Sequence, residues 1–169
     1  MEIRVLTADD AATYRSIRLR ALHEHPEAFG MSVEEQQAVS VEQIAMDIRH
    51  SWPDKPRFGA FLDGQLTGIV GLYRQGRIKS NHRIYLVGMY VAPEARGHGA
   101  GRALVKTALD HARSLSGVEH VHLSVTAGNE TARKLYESFG FRVWGIEPDY
   151  LKIDGRYYAM EWMLLRLVP

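Results

Sequence analysis

The chain has 169 residues, no cysteine, and 21 basic against 20 acidic side chains, a formal net charge of +1. That balance provides no global field for nucleic acid or an anionic membrane, and neither is expected as a partner. The missing cysteine excludes a disulfide framework, a thiolate metal site and a cysteine nucleophile.

The length fits one domain over residues 1–169, burying about two-thirds of its unfolded surface. The opening MEIRVLTADD lacks the basic start and apolar core of a secretory leader. No run approaches the roughly 18 apolar residues of a membrane span, so a cytoplasmic protein is expected. EIRVL reads as a strand. Thr7 followed by Asp10 resembles a capping box, opening a helix through about His23 with Ala11, Tyr14, Ile17, Arg18 and Leu22 near helical spacing. HEHPEAFG breaks that helix. Ser32 with Glu35 repeats the signature, and Val41, Ile44 and Ile48 carry a second helix that stops before SWPDKP.

RFGAFLDGQLTGIVGLY is a hairpin around Asp63-Gly64, the pair preferred in a type I′ turn. RIYLVGMYVA is nearly continuous in apolar residues, which predicts a strand buried on both faces. Beyond a glycine cluster, Ala103, Leu104, Ala108, Leu109 and Ala112 mark a helix ending near Gly117, and HVHLSVT is a further strand. In NETARKLYESFGF, Asn129 suits an N-cap, Ala132, Leu135, Tyr136 and Phe139 share a face, and Gly140 suits the left-handed position past the helix end. The tail folds as two strands around Asp154-Gly155. Its apolar run YYAMEWMLLRL reads equally as a homodimer face or as a buried central strand. The order is β-α-α-β-β-β-α-β-α-β-β, a mixed α/β sheet covered by helices.

The segment VAPEARGHGAGRAL places three glycines and two arginines within seven positions, between a strand and a helix. Such a junction binds anions: the first helical N–H groups lack partners, the helix dipole adds positive charge, and glycine lets backbone approach a phosphate. Two phosphate templates fail. A Walker loop needs Gly-Lys-Ser/Thr, whereas Gly101 is followed by Arg102 and Ala103. The dinucleotide pattern meets Arg102 where its third glycine belongs, and Glu119 lies before its strand instead of at that strand's end.

The pattern R/Q-x-x-G-x-G/A is met by Arg96, Gly99 and Gly101. Here the chain resembles the GNAT superfamily of N-acetyltransferases. LVGMYVAPEARGHGAGRALV is similar to the family's strand-loop-helix core, and NETARKLYESFGF to its Asn-x-x-Ala-x-x-x-Tyr-x-x-x-Gly-Phe block. Together these cover residues 84–141, about a third of the chain. The resemblance implies a mixed, mostly antiparallel seven-stranded sheet with helices on both faces.

It also implies acetyl-coenzyme A as co-substrate and no metal. The loop Arg96, Gly97, His98, Gly99, Ala100, Gly101 and Arg102 would hold the pyrophosphate. The backbone of Met89, Tyr90 and Val91 would pair with the pantetheine arm and polarise the thioester. Tyr136 would protonate the departing sulfur, since a phenol with pKa near 10 keeps its proton at pH 7. Asn129 stands as an N-cap or a pantetheine contact, and Arg133 with Lys134 as 3′-phosphate ligands or solvated helix charges.

No carboxylate stands in RIYLVGMYVA, so deprotonation of an amine falls to a water chain or to His82, Glu34, Glu147 or Asp149. His120 and His122 alternate on one strand face with Ser124, without a third ligand at useful spacing, and read as structural or water-linked. The resemblance places the acceptor pocket in HEHPEAFGMSVEEQQ and IEPDYLKIDGRYY. Glu24, Glu27, Glu34 and Glu35 there suit a cationic amine or a solvated helix start. The function expected is N-acetyl transfer to a small-molecule or peptide amine by direct transfer in a ternary complex, because no acyl-enzyme nucleophile stands in the motifs. The alternative is a catalytically silent acyl-CoA-binding sensor or interaction module.

Overall fold

The computed structural model describes residues 1–167. The last two residues of the expected 1–169 domain lie outside the described residues. Seven strands form one sheet in the order β1-β2-β3-β4-β5-β7-β6: β1 (Glu2–Val5), β2 (Arg57–Leu62), β3 (Gln65–Arg74), β4 (Arg83–Val91), β5 (His120–Thr126), β6 (Arg142–Ile153) and β7 (Arg156–Arg166). Every neighbouring pair is antiparallel except β4 and β5. The mixed, mostly antiparallel seven-stranded sheet is therefore as expected. β7 lies between β5 and β6, which buries Met160 and Met163 of the final apolar run, while Tyr157 stays exposed.

Helices cover both faces. α4 (Ala100–Ser114) and α5 (Glu130–Glu137) pack on one side. There Leu104, Val105, Ala108, Leu109 and Ala112 meet Val70, Leu72, Ile84, Leu86, Val121 and Leu123 in the main core. α1 (Ala11–Glu24) covers the other face, where Ile17 and Ala21 meet Leu66, Ile69 and Tyr90. Burial of such a core, at about 25 cal/mol per Å² of apolar surface, holds the helices to the sheet.

Two expectations need correction. The single helix expected from Ser32 to Ile48 is two: α2 (Val33–Ala38) and α3 (Val41–Arg49). Val39 leaves helical geometry at φ −83°, ψ 120°, and Ser40 starts anew, its hydroxyl accepting the Gln43 N–H at 3.2 Å. A serine with this choice favours a cap over a helix interior. β4 is also not buried along both faces. Ile84 and Leu86 are buried, but Val87 is 44% exposed.

The cause of that exposure is the geometry of β4. β4 and β5 pair only over Arg83–Tyr85 and His120–His122, then diverge. β5 stays bound to β7 along its whole length. On its other side β4 carries a bulge against β3: Ile69 faces Tyr90, while Gly71 faces Val87. Gly88 sits in it at φ +63°, a left-handed conformation glycine adopts without strain. The extra residue inverts the side-chain alternation. Ile84 and Leu86 point to the α4 face, as do Met89 and Val91 beyond the bulge, while Tyr90 turns to the α1 face.

Candidate active site

The divergence of β4 and β5 opens a cleft of about 280 Å³. Gly88 and Met89 of β4 line one wall, Ser124 and Thr126 of β5 the other, with Asn129, the N-cap of α5, and Tyr136 within α5 beside them. From Leu86 onward the β4 edge has no strand partner on the β5 side. It therefore offers backbone groups to an extended molecule, as an exposed sheet edge does to an added strand.

The glycine loop follows directly. Gly99 is the N-cap of α4 at φ +79°, and Gly97 shares that conformation at φ +78°. A Cβ on either would project into open space, so the loop's outer face is clear. The first backbone bond of the helix runs from the Ala103 N–H to Gly99 O at 3.0 Å, leaving the N–H groups of Ala100, Gly101 and Arg102 without intrahelical acceptors. Those donors suit a pyrophosphate. Gly101 differs from Gly97 and Gly99, with helical backbone and room for a side-chain carbon at ordinary contact distance. Its Cβ would stand 3.4 Å from Met89 Cε and 3.5 Å from Leu135 Cδ2, where α4 crosses β4 and α5.

The loop's basic side chains are partly engaged. Arg96 Nε donates to Val91 O at 2.9 Å, folding the arginine against its own loop, and Arg96 Nη2 meets His25 Nε2 at 3.2 Å. His98 Nδ1 lies 2.9 Å from Arg96 O. Arg102 reaches across to α5, donating to Ser138 Oγ at 3.0 Å with its guanidinium 4.9 Å from the Phe139 ring centroid. Arg133 is held by Glu137 at 3.0 Å and Glu161 at 3.5 Å, and Lys134 is exposed.

Tyr136 is buried, 5% exposed, and its ring packs edge-on to Phe141 at 6.0 Å between centroids. Burial pushes its phenol above the usual tyrosine range, so it holds its proton throughout neutral pH. Packing and a position on the cleft wall coincide at this residue. Asn129 lines the cleft and caps α5 by accepting the Ala132 N–H at 3.1 Å through Oδ1, a bond that leaves its amide N–H₂ uncommitted. The Tyr90 side chain turns away from the cleft and donates to Glu24 Oε2 at 2.7 Å. Desolvation and that bond push its phenol up to about 12.

The acidic groups are elsewhere. Glu24 is held by Tyr90 and by Arg20 at 2.7 Å, and those contacts lower its pKa. Glu35 closes the α2 cap on the Ser32 N–H at 2.7 Å. Glu147 accepts from Trp162 Nε1 at 3.0 Å, Asp149 lies in β6 at φ +54°, and His82 packs 5.4 Å from His120. Glu34 lines a second cavity of about 440 Å³, where Pro26–Glu34 meets Leu151–Asp154. The two segments expected to form an acceptor pocket are thus brought together. Among the described residues no carboxylate or imidazole lines the main cleft.

His122 is buried beneath Arg83, whose Nε donates to its Nε2 at 3.3 Å, and it stacks on Tyr85 at 5.2 Å. Desolvation, then the Arg83 charge, lower it to about 4. His120 is lowered as well, by burial and by Arg166. His122 is therefore neutral at pH 7 and accepts from Arg83. Among the described residues no group of His, Cys, Asp or Glu is placed to hold a metal ion, and no helix is long and apolar enough to cross a membrane.

The chain's pattern matches the family model described as Acetyltransferase (GNAT) family over residues 19–141. It is 34% identical over 154 residues to a mycothiol acetyltransferase of Acidothermus cellulolyticus, covering 83% of this chain and 43% of that protein. The chain therefore spans less than half the length of that relative. Among solved structures it is similar to a GNAT-family acetyltransferase from Streptococcus pneumoniae (TM-score 0.89, 21% identity, 98% of this chain and 99% of that one). It is also similar to YncA, a putative acetyltransferase from Salmonella typhimurium solved with acetyl-CoA (TM-score 0.85, 23% identity, 100% and 95%).

Proposed function

This chain belongs to the GNAT acetyltransferase family, and on that premise we propose that it transfers the acetyl group of acetyl-CoA to an amine by direct transfer. The observation that carries the reading is the wedge between β4 and β5, with an unpaired strand edge on one wall and Tyr136 on the other. A strand edge ending at a helix N-terminus suits a long molecule with an amide-bearing arm and a pyrophosphate.

In this reading the N–H groups of Ala100, Gly101 and Arg102 bind the pyrophosphate, with Arg96, Gly97, His98 and Gly99 shaping the loop around it. The Met89–Val91 backbone holds the pantetheine arm, and an N–H near Met89 or Tyr90 stabilises charge developing on the thioester oxygen. The bound thioester supplies an activated acyl carbon. The neutral amine's lone pair forms the new C–N bond, the C–S bond breaks, and the sulfur takes that electron pair together with the Tyr136 proton. Tyr136 recovers a proton from solvent. The proton lost by the amine leaves by water, because no base lines the cleft among the described residues.

An alkylamine of pKa about 10.4 is neutral in only about one molecule in a few thousand at pH 7, a penalty near 4–5 kcal/mol. The rate is therefore expected to climb with pH toward the acceptor amine's own pKa, without a plateau set by an enzyme group near neutrality. The test is release of free thiol from acetyl-CoA across a panel of amines, followed against pH. Acetyl-CoA binding by calorimetry without release for every amine would replace the enzyme by an acyl-CoA sensor.

A further inference from the structure

Among the described residues, Arg18 Nη1 is the one buried side-chain nitrogen or oxygen without a hydrogen-bond partner. The residue is 8% exposed. It sits on the apolar face of α1, next to Ile17 and one turn from Leu22, where helical spacing sends it into the protein. Its guanidinium carbon lies 4.9 Å from the Phe29 ring centroid. A Cβ on Gly88 would come within 3.6 Å of Nη1, so the arginine lies against the β4 bulge.

Arg18 lines the main cleft, and also a neighbouring cavity of about 230 Å³ reached past Gly88 and lined by Tyr14, Lys55 and Arg57. Neither space has an acidic side chain on its walls among the described residues. A buried guanidinium nitrogen with no acceptor is a costly arrangement for a fold to keep. Arg57 and Lys55 do not relieve it, since both are cations; each lies over an aromatic ring, Tyr14 at 5.4 Å and Tyr73 at 4.9 Å.

We propose that Arg18 is the acceptor-recognition residue, and that the amine substrate carries a carboxylate which Arg18 binds at the β4 bulge. The inference rests on the acetyl-transfer reading and names the substrate class for it. The anion must arrive with the acceptor. The phosphates of the donor belong to the α4 end of the cleft, and its pantetheine arm and acetyl group are uncharged. One free guanidinium in an otherwise uncharged cleft matches a single planar monoanion better than a doubly charged phosphate. The same arrangement disfavours a polyamine, whose second cation would face Arg18 across a cleft without carboxylates. Of the four glutamates the sequence offered to a cationic acceptor, Glu24 and Glu35 are held by Tyr90 and Arg20 and by the α2 cap, Glu27 lies 3.7 Å from His25, and Glu34 lines the separate cavity of about 440 Å³ instead of this cleft.

The test offers L-amino acids and dipeptides as free acids, as carboxamides and as the corresponding decarboxylated amines, and measures thiol release. For the best acceptor, kcat/KM for the acid should exceed that for the amide by at least about tenfold, because the amide leaves a buried charge unanswered. In Arg18→Met that ratio should collapse to within about twofold while acetyl-CoA affinity by calorimetry is unchanged, and Arg18→Lys should fall between. The free Arg18→Met protein should melt no lower than wild type, and the acid should raise the wild-type melting temperature only. An acid-to-amide ratio near one, or a ratio that survives Arg18→Met, overturns the proposal while leaving the acetyltransferase reading standing. A panel in which no amine of any kind releases thiol removes the acetyltransferase reading and this proposal with it.

Discussion

Gly99 and Gly101 stand two residues apart at the start of α4, yet only Gly99 has a conformation that demands glycine, and substituting each by alanine separates the two. Gly99 is left-handed at φ +79° with open space around it, so Gly99→Ala meets no neighbour but forces an L-residue into a region that costs roughly 1–2 kcal/mol. Gly101 lies inside α4, where alanine is favoured over glycine by up to about 1 kcal/mol. Its new Cβ would touch Met89 Cε at 3.4 Å and Leu135 Cδ2 at 3.5 Å, both ends of side chains that can yield a little. Gly101→Ala should therefore lie within about 0.5 kcal/mol of wild type, and the two variants should differ by about 2 kcal/mol. For a chain of this size that difference is roughly 4–8 °C in melting temperature. Urea denaturation measures it, and calorimetry with acetyl-CoA should show binding kept in Gly101→Ala and weakened in Gly99→Ala. Gly99→Asn sharpens the case. Asparagine tolerates the left-handed region, so stability should largely return while the side chain still obstructs the loop. Equal destabilisation by both alanines, or acetyl-CoA binding restored by asparagine, would refute the division of labour.

Tyr136→Phe should keep the ring's packing on Phe141 and the acetyl-CoA affinity, yet lower turnover by about 10²–10⁴-fold; an unaltered rate would remove the phenol from the acid role. Stability should fall on acidification between pH 6.5 and about 4. There the folded His122 resists a proton that the unfolded chain accepts, so the unfolded state binds more protons and the loss is on the order of 3 kcal/mol. Urea midpoints at pH 7 and 4.5 for wild type and His122→Gln test this, and equal losses in both would clear His122.

Much of the sheet was legible because its turns carry strong local chemistry. Asp63-Gly64 and Asp154-Gly155 all adopt the positive φ that a type I′ hairpin demands. The α4 and α5 stripes, and the caps at Ser32 and Asn129, were legible for the same local reason. The break at Val39–Ser40 was not, since the apolar spacing continues through it and only the serine's own cap competes. Nor was the bulge. Gly88 in a run of apolar residues looks like an ordinary strand glycine, and its effect on β4 depends on pairing with a strand some 20 residues away. The site divides likewise. The glycine loop and Tyr136 stand in motifs, whereas Arg18 announces itself only as an arginine at an apolar helix position, a signal that gains meaning once Phe29 and Gly88 are seen beside it.

The short junction of β4 with β5 also bears on how the molecule opens. Three residue pairs join the half made of β1 to β4 to the half made of β5, β7 and β6, while each half is zipped along most of its strands. The two halves of the sheet thus meet at a narrow seam, with one shared core and α4 and α5 laid across one side. Amide hydrogens along Leu86–Val91 that face the seam should exchange at the low-protection end of the molecule, and those deep in β5 and β7 at the high end. A molecule laid into the wedge and paired with the β4 edge would extend that ladder and tie the halves together. Occupancy would then be written in hydrogen-exchange rates on both sides of the seam, far beyond the atoms it touches.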